Sequence, residues 1–103
     1  MNEDKKQYLS SYGQQIIKIR CLKKMVEIFP EKREEYIAQI NKAKALAKTI
    51  EKKIAAVDGA ILSEILCWKY ICEKPISVIA ENIGYSERHT ERLLSKALNK
   101  LEI

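Results

Sequence analysis

The stretch ISVIAENIGYSERHTERLLSKALNK, residues 76–100, decides the fold of this chain. Its first part carries apolar residues at helical intervals of three and four, namely Ile76, Ile79, Ala80 and Ile83. This spacing predicts a short helix with one apolar side. Gly84 is expected to end that helix, because glycine adopts the left-handed backbone conformation that closes many helices at no steric cost.

The second part of the stretch predicts a longer helix over about residues 86–101. Ser86 is a strong N-cap candidate, and Glu87 is favourable in the first turn because it complements the helix dipole. Apolar residues follow at core spacing: Leu93, Leu94, Ala97, Leu98 and Leu101. A short helix, a glycine turn and a capped second helix form the pattern of a helix-turn-helix, in which small Ala80 lets the helices cross closely.

In such a motif the second helix enters the major groove of DNA. Thr90, Leu93 and Ala97 are expected to face the first helix, which leaves the polar positions free. The candidate DNA-binding residues are Ser77, Tyr85, Ser86, Glu87, Arg88, His89, Glu91, Arg92 and Lys96. We expect Arg88 and Arg92 to reach guanine edges or phosphates, against the alternative of surface pairing with neighbouring acids.

Two of these residues, His89 and Tyr85, have a simple alternative without DNA. His89 is the only histidine in the chain and either bonds a base or phosphate or is an idle surface residue. Tyr85 either contacts the DNA backbone or only packs over the corner. Ser77 is a candidate phosphate contact.

The segment KYICEKPISVIAENIGYSERHTERLLSKALNKL, residues 69–101, resembles region 4 of bacterial sigma factors and the related phage ArpU-type transcriptional regulators. The resemblance covers about the last third of the chain and rests on Tyr70-Ile71, Ile79-Ala80, Gly84-Tyr85-Ser86, Ala97-Leu98 and Leu101. Thr90 departs from the valine or isoleucine usual in such modules. The resemblance implies binding to double-stranded DNA at a promoter or regulatory site, with RNA polymerase as a further partner.

Upstream of this segment the sequence predicts two long helices joined at Phe29-Pro30-Glu31, since proline starts helices but interrupts their interior. The first runs from about Glu3 to Phe29, with one stripe formed by Tyr12, Ile16, Ile19, Leu22, Val26 and Phe29. The second carries a heptad seam of Tyr36, Ile40, Ala43, Ala47, Ile50, Ile54, Val57 and Ile61. A short corner between two helices predicts an antiparallel hairpin, and its seam closes either within one chain or in a homodimer.

A third helix is predicted from about Ala60 to Glu73, with Trp68 and Tyr70 as core residues rather than stacking platforms for bases. The fold class is therefore all-α: a long, coiled-coil-like antiparallel helical hairpin over residues 1–58, followed by a three-helix helix-turn-helix module over residues 59–103. Three glycines and two prolines in 103 residues leave few turns for a sheet.

Several classes of protein are disfavoured by composition. No apolar run approaches the ~20 residues that span a bilayer, and the N-terminus lacks a signal peptide, so we expect a cytoplasmic protein without a membrane partner. Cys21, Cys67 and Cys72 fit neither a disulfide framework nor a zinc site and are expected to be reduced and mostly buried. No catalytic constellation or cofactor motif is present, so an enzyme is not expected.

The net charge of +5 suits a polyanionic partner, but residues 75–103 hold four basic and four acidic side chains. The surplus lies upstream, where Lys42, Lys44, Lys48, Lys52 and Lys53 form either a phosphate-contacting stripe or a solvated helix face. The leading hypothesis is a phage or prophage transcriptional regulator that binds a specific DNA sequence. The neutral C-terminal charge keeps open a protein-interaction factor that binds polymerase or another regulator, and a ring-forming phage packaging subunit ranks last.

Overall fold

A computed structural model describes residues 2–103, and within this range the chain is all-helical with no strand, as predicted. The elements in chain order are α1 (Glu3–Ile28), a 3₁₀ turn (Pro30–Lys32), α2 (Arg33–Ala55), α3 (Ala60–Leu66) continued by a π turn (Cys67–Ile71), α4 (Ile76–Ile83) and α5 (Glu87–Lys100). In residues 2–103 no helix is both long and apolar enough to cross a membrane.

Helices α1 and α2 pack against each other in opposite directions. Close to the turn between them, Leu22 forms a cluster with Tyr36 and Ile40. At the other end, the Tyr12 hydroxyl donates a hydrogen bond of 2.9 Å to Glu51 Oε2. Positions early in α1 therefore lie beside positions late in α2.

The predicted apolar seam of α2 is confirmed over seven of its eight positions, which are buried: Tyr36, Ile40, Ala43, Ala47, Ile50, Ile54 and Val57. The eighth, Ile61, is partly buried and belongs to α3, because the chain leaves α2 at Ala55 and turns at Gly59 with a φ of 110°. Val57, although buried, also lies beyond the end of α2.

The stripe predicted for α1 is wrong at its end. Phe29 is 43% exposed, because the chain leaves the helix there with φ −123° and ψ 72° and its side chain loses the helical register. Leu9, which the predicted stripe omitted, is completely buried. It lies one turn before Tyr12 and extends the stripe toward the N-terminus.

One large core joins the two ends of the chain. Leu9 and Tyr12 of α1 and the second half of α2 share a cluster with α3, Tyr70 and the end of α5, where Leu98 and Leu101 are buried. A smaller, separate cluster lies nearer the turn between α1 and α2. The molecule is elongated, 52 × 25 × 22 Å, and the part of α1 and α2 at residues 17–46, here called the arm, contributes nothing to the large cluster.

The third predicted helix is helical over most of its length but not uniformly α. After Leu66 it widens into a π turn, in which the N–H of Cys72 donates to the carbonyl of Cys67 at 2.9 Å. Tyr70 is buried as predicted, whereas Trp68 is only partly buried and its Nε1 donates to Glu64 at 3.3 Å. Apolar periodicity over so short a segment does not distinguish an α turn from a π turn.

The expectation that the cysteines are mostly buried is wrong. All three are free thiols, with Cys21 and Cys72 exposed and Cys67 partly buried. Cys21 lies on the outer side of α1, and Cys72 follows the last turn of the π segment. Burial, aided by the neighbouring Cys72 and Glu64, raises the pKa of the Cys67 thiol and favours its protonated form.

Candidate nucleic-acid interface

The connection between α4 and α5 is a tight corner built on Gly84. This residue has φ 78° and ψ 25°, the left-handed conformation expected from the sequence. The N–H groups of Gly84 and Tyr85 both donate to the carbonyl of Ala80, at 3.0 and 3.1 Å. These bonds satisfy the end of α4 and turn the chain within two residues.

Ser86 caps α5, as predicted. Its Oγ accepts a hydrogen bond of 3.1 Å from the N–H of His89. Its carbonyl accepts from both the N–H of Thr90, at 2.9 Å, and the Thr90 hydroxyl, at 2.8 Å. The first turn of α5 is thus held by one serine.

The inner side of the corner is fully packed. Ile79 and Ala80 of α4 and Thr90 and Ala97 of α5 are buried, and the two helices are in contact. Thr90 has no exposed surface, so it is a packing residue that satisfies its hydroxyl on the helix backbone. The departure from valine or isoleucine at this position is therefore accommodated within the core.

The predicted site residues lie on the outside of this packed corner. Eight of the nine are exposed: Ser77, Tyr85, Ser86, Glu87, Arg88, Glu91, Arg92 and Lys96. His89 is partly buried. Seven of the nine lie along α5 or at its cap, so one helix brings most of the predicted residues together, and Ser77 stands apart in the first turn of α4.

Arg88 and Arg92 lie one turn apart and neither is held in an ion pair. Within residues 2–103 the one ion pair with atoms closer than 4 Å joins Lys6 to Glu3. The alternative in which both arginines are neutralised by neighbouring acids such as Glu91 is therefore absent from this conformation. Both guanidinium groups are available to an external acceptor.

Tyr85 and His89 form a pair that the sequence reasoning treated as two separate residues. Their ring centroids lie 4.8 Å apart with an interplanar angle of 81°, an edge-to-face contact. The Ser86 cap fixes the backbone between them, and the contact restricts the imidazole to one side of the helix start. The sequence offered one sign of this contact, the four-residue interval between Tyr85 and His89, although Tyr85 precedes the helix.

The far end of α5 is fixed by contacts that no local sequence pattern predicted. Lys5 Nζ donates to the carbonyls of Leu98 and Asn99, at 3.0 and 3.3 Å, and Asn2 Nδ2 donates to the Asn99 side chain at 3.0 Å. A lysine that binds the last carbonyls of a helix satisfies orphan acceptors and complements the helix dipole. The N-terminus of the chain thus anchors α5 away from its exposed first turns.

Concave sites lie elsewhere. A cavity of about 730 Å³ opens between the C-terminal ends of α2 and α5, beside Lys52, Lys53, Asp58 and Asn99. Residues 2–103 offer no group of three or more His, Cys, Asp or Glu side chains that could hold a metal ion. The exposed surface of α5 is convex, a shape that suits a groove in a partner rather than a small ligand.

Comparison of the chain with protein-family models, with curated proteins and with solved structures finds no match in any of the three.

Proposed function

We propose that this chain is a sequence-specific regulator of transcription, phage or prophage encoded, that binds double-stranded DNA. In this proposal α4 and α5 are the helix-turn-helix, and α5 with its cap at Ser86 is the recognition helix that enters the major groove. The resemblance of residues 69–101 to sigma factor region 4 gives the proposal its class of target, a promoter or a nearby regulatory site.

The observation that carries the proposal is the asymmetry of the α4–α5 corner. Its inner side is closed by Ile79, Ala80 and Thr90, while every charged residue of α5 points to solvent. The doubly hydrogen-bonded turn and the capped helix start hold α5 in one direction relative to α4. Such rigidity lowers the entropy lost when a helix docks into a groove.

The dimensions and donors of α5 suit the major groove. An α-helix with side chains is about 10–12 Å across, and the major groove is about 12 Å wide. Arg88 and Arg92 offer planar sets of donors that match the O6 and N7 acceptors of guanine. Tyr85 and His89 lie at the start of the helix, where helix-turn-helix readers place their base contacts.

The two long helices have an accessory role in this proposal. We assign α1 and α2 as a coiled-coil-like hairpin, with residues 1–58 as the accessory part and 59–103 as the reader module. The large core shared between them fixes the reader relative to the hairpin. A homodimer through the hairpin would let two readers contact two half-sites.

A second candidate is a helical protein-interaction factor that binds RNA polymerase or another regulator and touches DNA weakly. Two observations favour it. Residues 75–103 carry as many acidic as basic side chains, so the module has no net attraction for phosphates. Large apolar side chains are also exposed on the two long helices and at the turn between them, namely Ile17, Ile28, Phe29 and Leu46.

The proposal is tested by selecting bound duplexes from a random pool and measuring their affinity by fluorescence anisotropy. The wild type should prefer the selected duplex over a scrambled one by at least about a thousandfold, within the range of specific regulators. An Arg88→Ala, Arg92→Ala variant should lose most of this preference, since each bidentate guanine contact contributes roughly 1–3 kcal/mol of discrimination.

The matched control is Lys32→Ala, Arg33→Ala, which removes the same charge from exposed positions at the turn between α1 and α2. It should keep the preference. If no duplex is selected, or if the two variants lose the preference for the selected duplex equally, α5 is not the recognition helix. A polymerase pull-down that succeeds with a protein unable to select DNA would then favour the second candidate.

A further inference from the structure

We propose that one face of the arm and of the next turn of α2, formed by Arg20, Lys23, Lys44 and Lys48 and here called the basic face, binds the phosphate backbone of the duplex that α5 reads. This inference rests on the proposed function, because it assigns a second contact surface to the same DNA. It also answers the main objection to that function, the zero net charge of residues 75–103.

Positive charge is concentrated in one segment of α1 and one segment of α2. Residues 18–24 contain Lys18, Arg20, Lys23 and Lys24 and no acidic residue, and residues 36–50 contain Lys42, Lys44 and Lys48 and no acidic residue. The acids of this region lie toward the turn, at Glu27, Glu31, Glu34 and Glu35. The middle of the arm is therefore strongly basic while its tip is acidic.

The two basic segments lie beside each other in space. Because α1 and α2 run in opposite directions, with Leu22 near Tyr36 and Ile40 and Tyr12 bonded to Glu51, residues 18–24 lie level with about residues 38–44. Charges that are about twenty residues apart in the chain thus form one patch. Its basic side chains are all exposed.

Four of these cations share one side of the helix pair. Arg20 and Lys23 are three residues apart on α1, and Lys44 and Lys48 are four residues apart on α2, so each pair lies on one helix face. Arg20 directly follows Ile19, and Lys44 directly follows Ala43, and both preceding residues face the partner helix.

In two antiparallel helices, positions that directly follow an inward-facing residue lie on the same side of the pair. The four side chains of the basic face therefore point in one general direction. Lys18 and Lys42, each preceding an inward residue by one position, point to the other side.

The basic face continues the side of α1 on which the C-terminal module packs. Ser10 borders a concavity with Lys69, Tyr70 and Pro75, and Gly13 lies directly against the Glu73 carboxylate. Arg20 is seven residues beyond Gly13, on the same face of the helix and about 10 Å further along it.

A ligand that lies against the module can therefore meet the basic face without crossing to the far side of the arm. The surface between the two is formed by Ile17, which is 60% exposed.

Duplex DNA is the occupant that these charges favour. It presents one negative charge per ~1.7 Å of helix axis, so a row of cations spread along a helix pair meets several phosphates at once. None of the four cations is in an ion pair with another residue of the described range 2–103. An acidic protein segment would satisfy the same charges, and the test below distinguishes it.

The test compares two double variants with the same loss of charge at the same level of the arm. Arg20→Gln, Lys44→Gln removes two cations of the basic face, and Lys18→Gln, Lys42→Gln removes two from the opposite side. Binding of each to the selected duplex, to a scrambled duplex and to a poly-glutamate peptide is measured over 50–300 mM salt, with circular dichroism to check folding. The Arg88→Ala, Arg92→Ala variant is measured in parallel.

The basic-face variant should reduce the slope of log K against log salt by about 2, since each lost phosphate contact lowers it by roughly 0.9. Its affinity at low salt should fall about tenfold for both duplexes, which leaves the preference between them unchanged. The opposite-side variant should change this slope by less than about 1, half of the change expected for the basic-face variant.

The outcomes separate the two proposals. Equal slopes for the wild type and the basic-face variant, or equal losses for the two arm variants, would overturn the basic face and leave the α5 reader standing. The wild type could instead bind both duplexes equally, while its salt slope still depends on Arg20 and Lys44. That result would overturn the reader and support the basic face. Binding of an acidic peptide with no duplex binding would overturn both.

Discussion

The Tyr12 hydroxyl donates a 2.9 Å hydrogen bond to Glu51 Oε2 and so joins α1 to α2 at the edge of the large core. Tyr12 is 8% exposed, whereas Glu51 is exposed. Glu51 is the one acidic residue in the lysine-rich second half of α2. The bond fixes the register of the two long helices at the level where the C-terminal module packs. Stability, the orientation of the module and the position of the basic face all depend on that register.

Tyr12→Phe should lower the free energy of unfolding by about 1 kcal/mol at pH 7, the usual net contribution of one hydrogen bond. Burial and the Glu51 carboxylate raise the pKa of Tyr12 to about 12, above the value of about 10 expected in the unfolded chain. A raised pKa stabilises the fold while the group keeps its proton. The contribution should therefore be complete below pH 10 and disappear as the pH rises through about 12.

The measurement is urea unfolding of the wild type and Tyr12→Phe at several pH values from 7 to 12. The difference between the two proteins isolates Tyr12 from the lysines and other tyrosines that titrate in the same range. Tyr8→Phe is the matched control, since Tyr8 lies one turn away and is not in a hydrogen bond with Glu51. A wild-type advantage that stays constant up to pH 12 would contradict the assignment.

Gly13→Ala should stabilise the protein by about 0.5–1 kcal/mol. Gly13 is in the middle of α1, where glycine is less favourable than alanine by about that amount. An added Cβ would meet only the end of the Glu73 side chain, which is flexible and exposed and can move aside. Thermal unfolding of the purified variant measures the change.

Gly84→Ala is the matched control for the glycine prediction and should have the opposite sign. The φ of Gly84 is 78°, in the left-handed region, and no atom lies within 4 Å of an added Cβ. Gly84→Ala should therefore lower the free energy of unfolding by about 1–2 kcal/mol through backbone strain alone. A stabilising Gly84→Ala would mean that the α4–α5 corner is not held in the left-handed conformation.

Ser86→Ala should destabilise the protein by about 1 kcal/mol, because the N–H of His89 loses the acceptor that Ser86 Oγ provides. Ser86→Asp should restore most of this stability, since aspartate caps equally well. If DNA binding is as proposed, Ser86→Asp should still weaken it, because a new negative charge then faces phosphates. Unfolding and anisotropy on the same samples separate the two effects.

Local patterns predicted most of the helices because each is encoded by neighbouring residues. Pro30 marked the turn between the long helices, Gly84 marked the end of α4, and Ser86 marked the start of α5. The seam of α2 followed from periodicity alone. These signals act over four residues or fewer.

The features that the sequence did not predict depend on distant partners. The capping of α5 by Lys5 joins residues more than ninety positions apart, and the approach of Glu73 to Gly13 depends on how the module packs. The basic face is similar, since composition shows the lysines of α2, but Arg20 and Lys23 join them only once the direction of α1 is known. The predictions that Phe29 and the cysteines are buried were wrong, because spacing alone does not show where a helix stops or which side of it is covered.

Whether the outward side of α5 reads DNA is measured most directly by an ¹⁵N NMR titration of the protein with the selected duplex. An 11.9 kDa protein gives resolved amide signals for such a map. We expect the largest shifts at residues 85–96, centred on Arg88 and Arg92, and smaller ones near Arg20 and Lys44. Shifts concentrated in the cavity beside Lys52 and Lys53, or on exposed Ile28 and Phe29 with α5 unchanged, would contradict this expectation.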